Sequence, residues 1–195
     1  MPSVVLPPRA VASALAAISL ENSRALATVI DRNTTGLDRA AVEIADARRV
    51  FLLGAGRSGI ALQMTAMRLM HLGLTAHVVG ETTSPAIGGG DVLLVASGSG
   101  TTAGIVRAAE TAAGVGASVV ALTADADSVL ARLATVTIVV PAARKLDRDG
   151  TASAQYAGSL FEQAVVTIGD AIFHARWKAS GLTADELWPR HSNLE

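Results

Sequence analysis

The sequence has no cysteine, and its 195 residues include only three Phe, two Trp and one Tyr. Without thiols there can be no disulfide framework and no thiolate metal site, and the chain suits a reducing cytoplasm. With so few rings, the core has to be built from Ala, Val, Leu and Ile. Hydrophobic residues make up 50% of the chain, enough for a substantial core in which helices lie close on a sheet. Basic runs are missing too, and the formal net charge is −1, so neither a nucleic acid nor an anionic membrane is the expected partner. The apolar first thirty residues lack a cationic start and are interrupted by Arg9, Glu21 and Arg24, which argues against a signal peptide or a membrane span. The helical spacing of Val11, Leu15, Ile18, Leu26 and Ile30 predicts one or two amphipathic helices within residues 9–47, packed on the protein's own sheet or on another subunit.

What is present from residue 49 onward is an alternation. Short β-branched or leucine-rich runs at 49–53, 76–79, 91–96, 117–123 and 136–140 are separated by helical patterns near 58–72, 102–115 and 126–134. Four of the runs are almost wholly apolar, as strands covered on both faces should be. The chain is therefore expected to be α/β: a doubly wound, five-stranded parallel sheet in the flavodoxin-like order 2-1-3-4-5, with N-terminal helices. A polar stretch, 142–153, reads as a surface loop or a flap over a site. A long helix is expected at 154–179, with Phe161, Ala164, Val165, Ile168, Ile172 and Ala175 as its buried stripe, ended by Gly181. Thr183 and Glu186 then form a capping-box pattern for a short last helix. No second domain is expected; residues 1–195 read as one unit.

Two loops carry the chemistry. Gly54-Ala55-Gly56-Arg57-Ser58-Gly59 follows the first strand and opens a helix. Its glycines permit a tight turn and close approach to a ligand, and the helix behind it points free N–H groups at an anion. By itself this is G-x-G-x-x-G, which also fits a dinucleotide or a plain strand-to-helix turn. Glu81, the acid a dinucleotide site would need, falls later than the usual spacing of about 20 residues. The second loop, Ser97-Gly98-Ser99-Gly100-Thr101-Thr102, also follows a strand and opens a helix. Hydroxyls of Ser97, Ser99 and Thr102, together with Gly56, Arg57 and Ser58 of the first loop, make a cradle for a monophosphate. In a parallel sheet both loops lie at the carboxyl edge.

These residues resemble the SIS (sugar isomerase) domain family, and within it the 6-phospho-3-hexuloisomerases. The resemblance runs from about residue 10 to the end. It rests on both loops, on Met67-Arg68-Leu69-Met70-His71-Leu72-Gly73, Val79-Gly80-Glu81-Thr82 and Pro85-Ala86-Ile87-Gly88. It also rests on Gly158-Ser159-Leu160-Phe161-Glu162 and on the tail Arg190-His191-Ser192-Asn193-Leu194-Glu195. It implies interconversion of D-arabino-hex-3-ulose 6-phosphate and D-fructose 6-phosphate in the ribulose monophosphate pathway of formaldehyde fixation. It further implies a homotetramer with sites near subunit interfaces. One departure is Gln155-Tyr156-Ala157, where the family pattern has a Pro-containing segment at the entry to the last long helix.

Moving a carbonyl between adjacent carbons requires a base to take the α proton and a group to return it to the neighbouring carbon across a cis-enediol. A carboxylate and an imidazole suffice, with no metal or redox cofactor. Glu162, at the border of the buried stripe, is the candidate base, the alternative being a solvated helix-face glutamate. His191 is the candidate imidazole, the alternative being a surface residue of the tail. Arg190 would pair with the phosphate or be solvated. His71, near a helix end, suits the dipole as an imidazolium. His77 and His174 read as packing or surface residues, and no two histidines have metal-ligand spacing. Two other classes remain: a non-enzymatic sugar-phosphate sensor, and an NAD(P)-dependent oxidoreductase, which the second loop disfavours.

Overall fold

A computed structural model describes residues 6–142 and 153–194. Five parallel strands, β1 (Val50–Gly54), β2 (Ala76–Val78), β3 (Val92–Ala96), β4 (Ser118–Thr123) and β5 (Val136–Val139), form one sheet in the order β2-β1-β3-β4-β5. This is the expected order. The pleat divides each strand between two cores. Val50, Leu52, Val92, Leu94, Val120 and Leu122 face α1 (Ala10–Asp46), α2 (Gly56–His71) and α5 (Ser159–Ser180). Phe51, Leu93, Val95, Val119 and Ala121 face α3 (Ala103–Gly114) and α4 (Val129–Leu133). Burial on both faces explains why these strands read as unbroken apolar runs.

Helix α1 is a single element with a break at Asn33, whose φ of −127° and ψ of 19° are non-helical. The Asn33 amide donates to the carbonyl of Val139 (3.1 Å) and accepts from its N–H (3.0 Å), so a side chain occupies the open edge of β5. Past the break Ala40 and Ile44 are fully buried; before it, Ala25 and Val29 are buried. Ile30 is not in that stripe and is 58% exposed; Val11 (70%) and Leu15 (63%) are exposed too, while Ile18 is half-buried. Among the described residues, the apolar positions Val11, Leu15, Leu20 and Ile30 of α1 are thus left uncovered.

Two expected helices differ. The helix expected at 126–134 starts only at Val129, because Thr123, Asp125 and Ser128 divert the preceding backbone into side-chain-capped turns: Asp127 N–H donates to Asp125 (3.1 Å) and Ala131 N–H to Ser128 (3.2 Å). Helix α5 begins at Ser159, not 154, since Ala157 takes a left-handed φ of 51°. Ala175 is exposed; Leu160 and Gly169 belong to the buried stripe instead. After Gly181 (φ 69°), α6 (Ala184–Leu187) carries the full capping box between Thr183 and Glu186, followed by a 3-10 turn at Trp188–Arg190. Of the polar stretch 142–153, residues 143–152 lie outside those described.

Candidate active site

Three helices point their N-termini at one cavity at the carboxyl edge of the sheet. The cavity holds about 300 Å³, at the small end of the range for ligand pockets, and is lined by Ser58, Ser97, Ser99, Thr101, Thr102, Gly158 and Glu162 among others. Ser58 lies in the first turn of α2, Thr102 is the N-cap of α3, and Gly158 is the N-cap of α5. The N-caps of the three helices, Ala55, Thr102 and Gly158, make no side-chain capping hydrogen bond, so first-turn N–H groups and three positive dipole ends face the cavity. An anion there needs no buried cation to hold it.

The first loop works by backbone geometry. Gly56 has φ 57°, and a Cβ on Gly59 would stand 2.6 Å from the carbonyl oxygen of Gly54. Strand and helix therefore approach more closely than any side chain allows. Gly56 and Arg57 do not line the main cavity. Arg57 turns aside and ion-pairs with Glu162, its own side chain 67% exposed and that of Glu162 14%.

The second loop is held by hydrogen bonds among its own hydroxyls. Ser97 and Thr102 hydroxyls meet at 3.0 Å, and Ser99 Oγ accepts from the N–H (3.3 Å) and hydroxyl (3.1 Å) of Thr101. Its backbone is tied to the end of β4 and to α4: Ala124 N–H donates to the Gly98 carbonyl (2.9 Å) and Leu130 N–H to that of Gly100 (3.0 Å). The loop is thus set before any ligand arrives. Phe161 packs its ring against Gly98, where an added Cβ would sit 3.7 Å away. The same helical turn carries Glu162, so α5 registers the carboxylate against the second loop.

Sequence reasoning missed Thr101 and Gly158. Thr101 was legible as a further hydroxyl in an already polar loop. Gly158 became meaningful only once α5 was found to start there. His191 is not at this cavity: its ring stacks on His71, the last residue of α2, at 4.0 Å between centroids. With 1.5 Å of rise per residue, that end of α2 is roughly 20 Å from Ser58. Arg190 is exposed and not near the cavity: it donates to the His71 carbonyl (3.0 Å). Nor does His71 fit an imidazolium: burial pushes its pKa down, and His191 and Arg68 push the same way. His77 lies against Phe51, and His174 is exposed. Among the described residues no group of three His, Asp or Glu side chains could hold a metal ion.

The SIS domain model matches residues 43–166. A 3-hexulose-6-phosphate isomerase of Mycobacterium gastri is 55% identical over 153 residues, covering 78% of this chain and 77% of that protein. Another, from Bacillus subtilis, is 36% identical over 159 residues, covering 81% and 86%. A hypothetical protein of Methanococcus jannaschii, whose crystal structure infers a molecular function of 3-hexulose-6-phosphate isomerase, superposes with a TM-score of 0.77 at 29% identity. That match covers 94% of this chain and 99% of the other. A fold with hydroxyl-lined helix N-termini at its switch point, and relatives of this identity along most of the chain, make it a member of the SIS domain family, in its 3-hexulose-6-phosphate isomerase branch.

Proposed function

We propose that the protein interconverts D-arabino-hex-3-ulose 6-phosphate and D-fructose 6-phosphate, in the cytoplasmic ribulose monophosphate route of formaldehyde fixation. The observation that carries this reading is one carboxylate, Glu162, on the wall of a cavity otherwise built for a phosphate. The phosphate sits on Ser58, Ser97, Ser99 and Thr102 with the N–H groups behind them, which leaves the sugar carbons toward Glu162. Glu162 takes the proton from C2 of the 3-ketose, the C3 oxygen gains a proton, and a cis-enediol forms. The C2 hydroxyl then yields its proton as C3 is protonated. Arg57 fixes the carboxylate and keeps a positive charge beside the enediol oxygens. In this reading α1 and the tail, outside the matched span, belong to the same single domain.

The second proton-transfer group is His191, supplied by another copy of the chain. Its distance from Glu162 within one chain requires this, and α2 provides the means. Ile60 (60% exposed), Met64 (51%) and Met67 (59%) form an apolar stripe between the Ser58 end and the His71 end of the helix. Two copies meeting antiparallel along this stripe would place each tail at the other's cavity, completing both sites at once, as a two-fold interface must. The exposed apolar positions Val11, Leu15 and Leu20 of α1 offer a second, separate face, so that two such pairs make a homotetramer.

Incubation with fructose 6-phosphate in deuterated water tests the chemistry, with deuterium expected at the exchanged carbon of product. Glu162→Gln should bind fructose 6-phosphate but lose turnover by about 10²–10⁴-fold. Binding by the wild type with no turnover would indicate a sensor instead. Shared sites are tested by mixing Glu162→Gln with His191→Gln chains. Mixed pairs then hold one intact site each, and about a quarter of wild-type activity should return. No recovery would mean that both residues act within one chain.

A further inference from the structure

The tail carrying His191 is docked with more precision than a solvated chain end needs. His71 closes α2 with 4% of its surface exposed, and its Nδ1 is buried without a hydrogen-bond partner. Its ring lies parallel to that of His191, at 4.0 Å and 23°, and Trp188 stacks on His191 at 4.7 Å and 28°. Arg190, between those two tail residues, donates to the His71 carbonyl. Its guanidinium fills the space where a Cβ on Gly73 (φ 88°) would stand, 3.3 Å away. A buried ring nitrogen with no partner is costly, so packing alone is a poor reason to place histidine here. Any aliphatic side chain would fill the volume without that cost.

We propose that His71 is a positioning residue for His191: its buried ring is the seat that fixes the plane of the catalytic imidazole presented to the neighbouring copy's Glu162. This rests on the reading of His191 as the second proton-transfer group. The surroundings keep the seat neutral. Arg68 lies one turn back on α2 and Arg190 on the tail; the only acid facing this cluster from α5 among the described residues is Asp170, already engaged with Arg68 at 3.6 Å. His71 touches no substrate. It decides which way the His191 ring faces.

The test uses the full-length protein with His71→Ala, His71→Phe and His191→Gln, each checked for assembly mass. His71→Ala should lower kcat by about 10–100-fold while the Kd for fructose 6-phosphate stays within about 2-fold, since a misplaced group costs turnover rather than binding. His71→Phe restores a flat neutral seat and should return kcat to within a few fold, a rescue that loss of packing volume would not discriminate. The His191 ring-proton resonance should lose its upfield ring-current shift in His71→Ala and keep it in His71→Phe. Should His71→Ala not fold, the Phe variant decides, through its kcat and that resonance. Wild-type kcat in His71→Ala, or a folded His71→Phe with kcat down 10-fold, overturns the proposal. Wild-type turnover in His191→Gln overturns the reading beneath it, and the resonance still reports whether the seat exists.

Discussion

Single residues decide whether the cavity exists. Gly100 has φ 61°, and a Cβ there would collide with the Ser128 side chain. Gly100→Ala should therefore displace the second loop and abolish the thermal stabilisation that fructose 6-phosphate gives the wild type, with about 2 kcal/mol or more lost from the free protein. Asp91 plays an analogous part at the opposite sheet edge. Its side chain is fully buried, bound by Arg49 and Arg48 and by the Gly88 N–H, and Arg49 first among these holds its carboxyl far below the ordinary value of 3.8. A depressed carboxylate pKa contributes stability that is complete at neutral pH and is lost as pH falls below that ordinary value. Asp91→Asn should accordingly lower the Tm by about 4–8 °C at pH 7, from about 2 kcal/mol. The difference from wild type should shrink steadily on acidification below pH 4. A gap unchanged down to pH 2 would show that charge is not what Asp91 contributes.

At the scale of elements, Asn33 shows how one side chain serves two of them. By breaking α1 it allows the helix to follow the sheet, and by pairing with both backbone groups of Val139 it closes an edge that would otherwise invite a foreign strand. Asn33→Ala should cost about 2 kcal/mol and leave the β5 edge unsatisfied. The expected readout is faster amide exchange at Val139 and aggregation at temperatures where the wild type stays clear. The boundaries of α4 and α5 were not legible because short polar side chains and a left-handed Ala157 compete with helix start signals, and only the folded backbone shows which prevails. The strands were legible because burial on both faces leaves a continuous apolar run with no competing pattern.

For the whole molecule, the exposed stripe on α2 is the feature on which the proposed activity depends. Met64→Lys sets like charges against each other across a two-fold axis while leaving the phosphate loops and the core untouched. It should halve the assembly mass or reduce it further, and lower kcat/KM by about 10²-fold or more. A dissociated variant with wild-type turnover would remove the need for a second copy. If only the α1 face is charged, with Leu15→Lys, pairs should persist with activity largely retained.

The sequence by itself determined the strand set, the sheet order and the two anion-binding loops. Each depends on local backbone chemistry: apolar runs that must be covered, glycines that alone tolerate the turns, hydroxyls beside helix starts. Through its family resemblance it also marked Glu162 and His191 as the candidates for moving protons. Tertiary structure decided that only Glu162 belongs to the cavity of its own chain, that Arg57 is its partner, and that His191 rests on His71 at the far end of α2. The reason is spatial: a helix separates its two ends by its length, and residues distant along a chain are brought together or kept apart by packing, which leaves no periodicity to read.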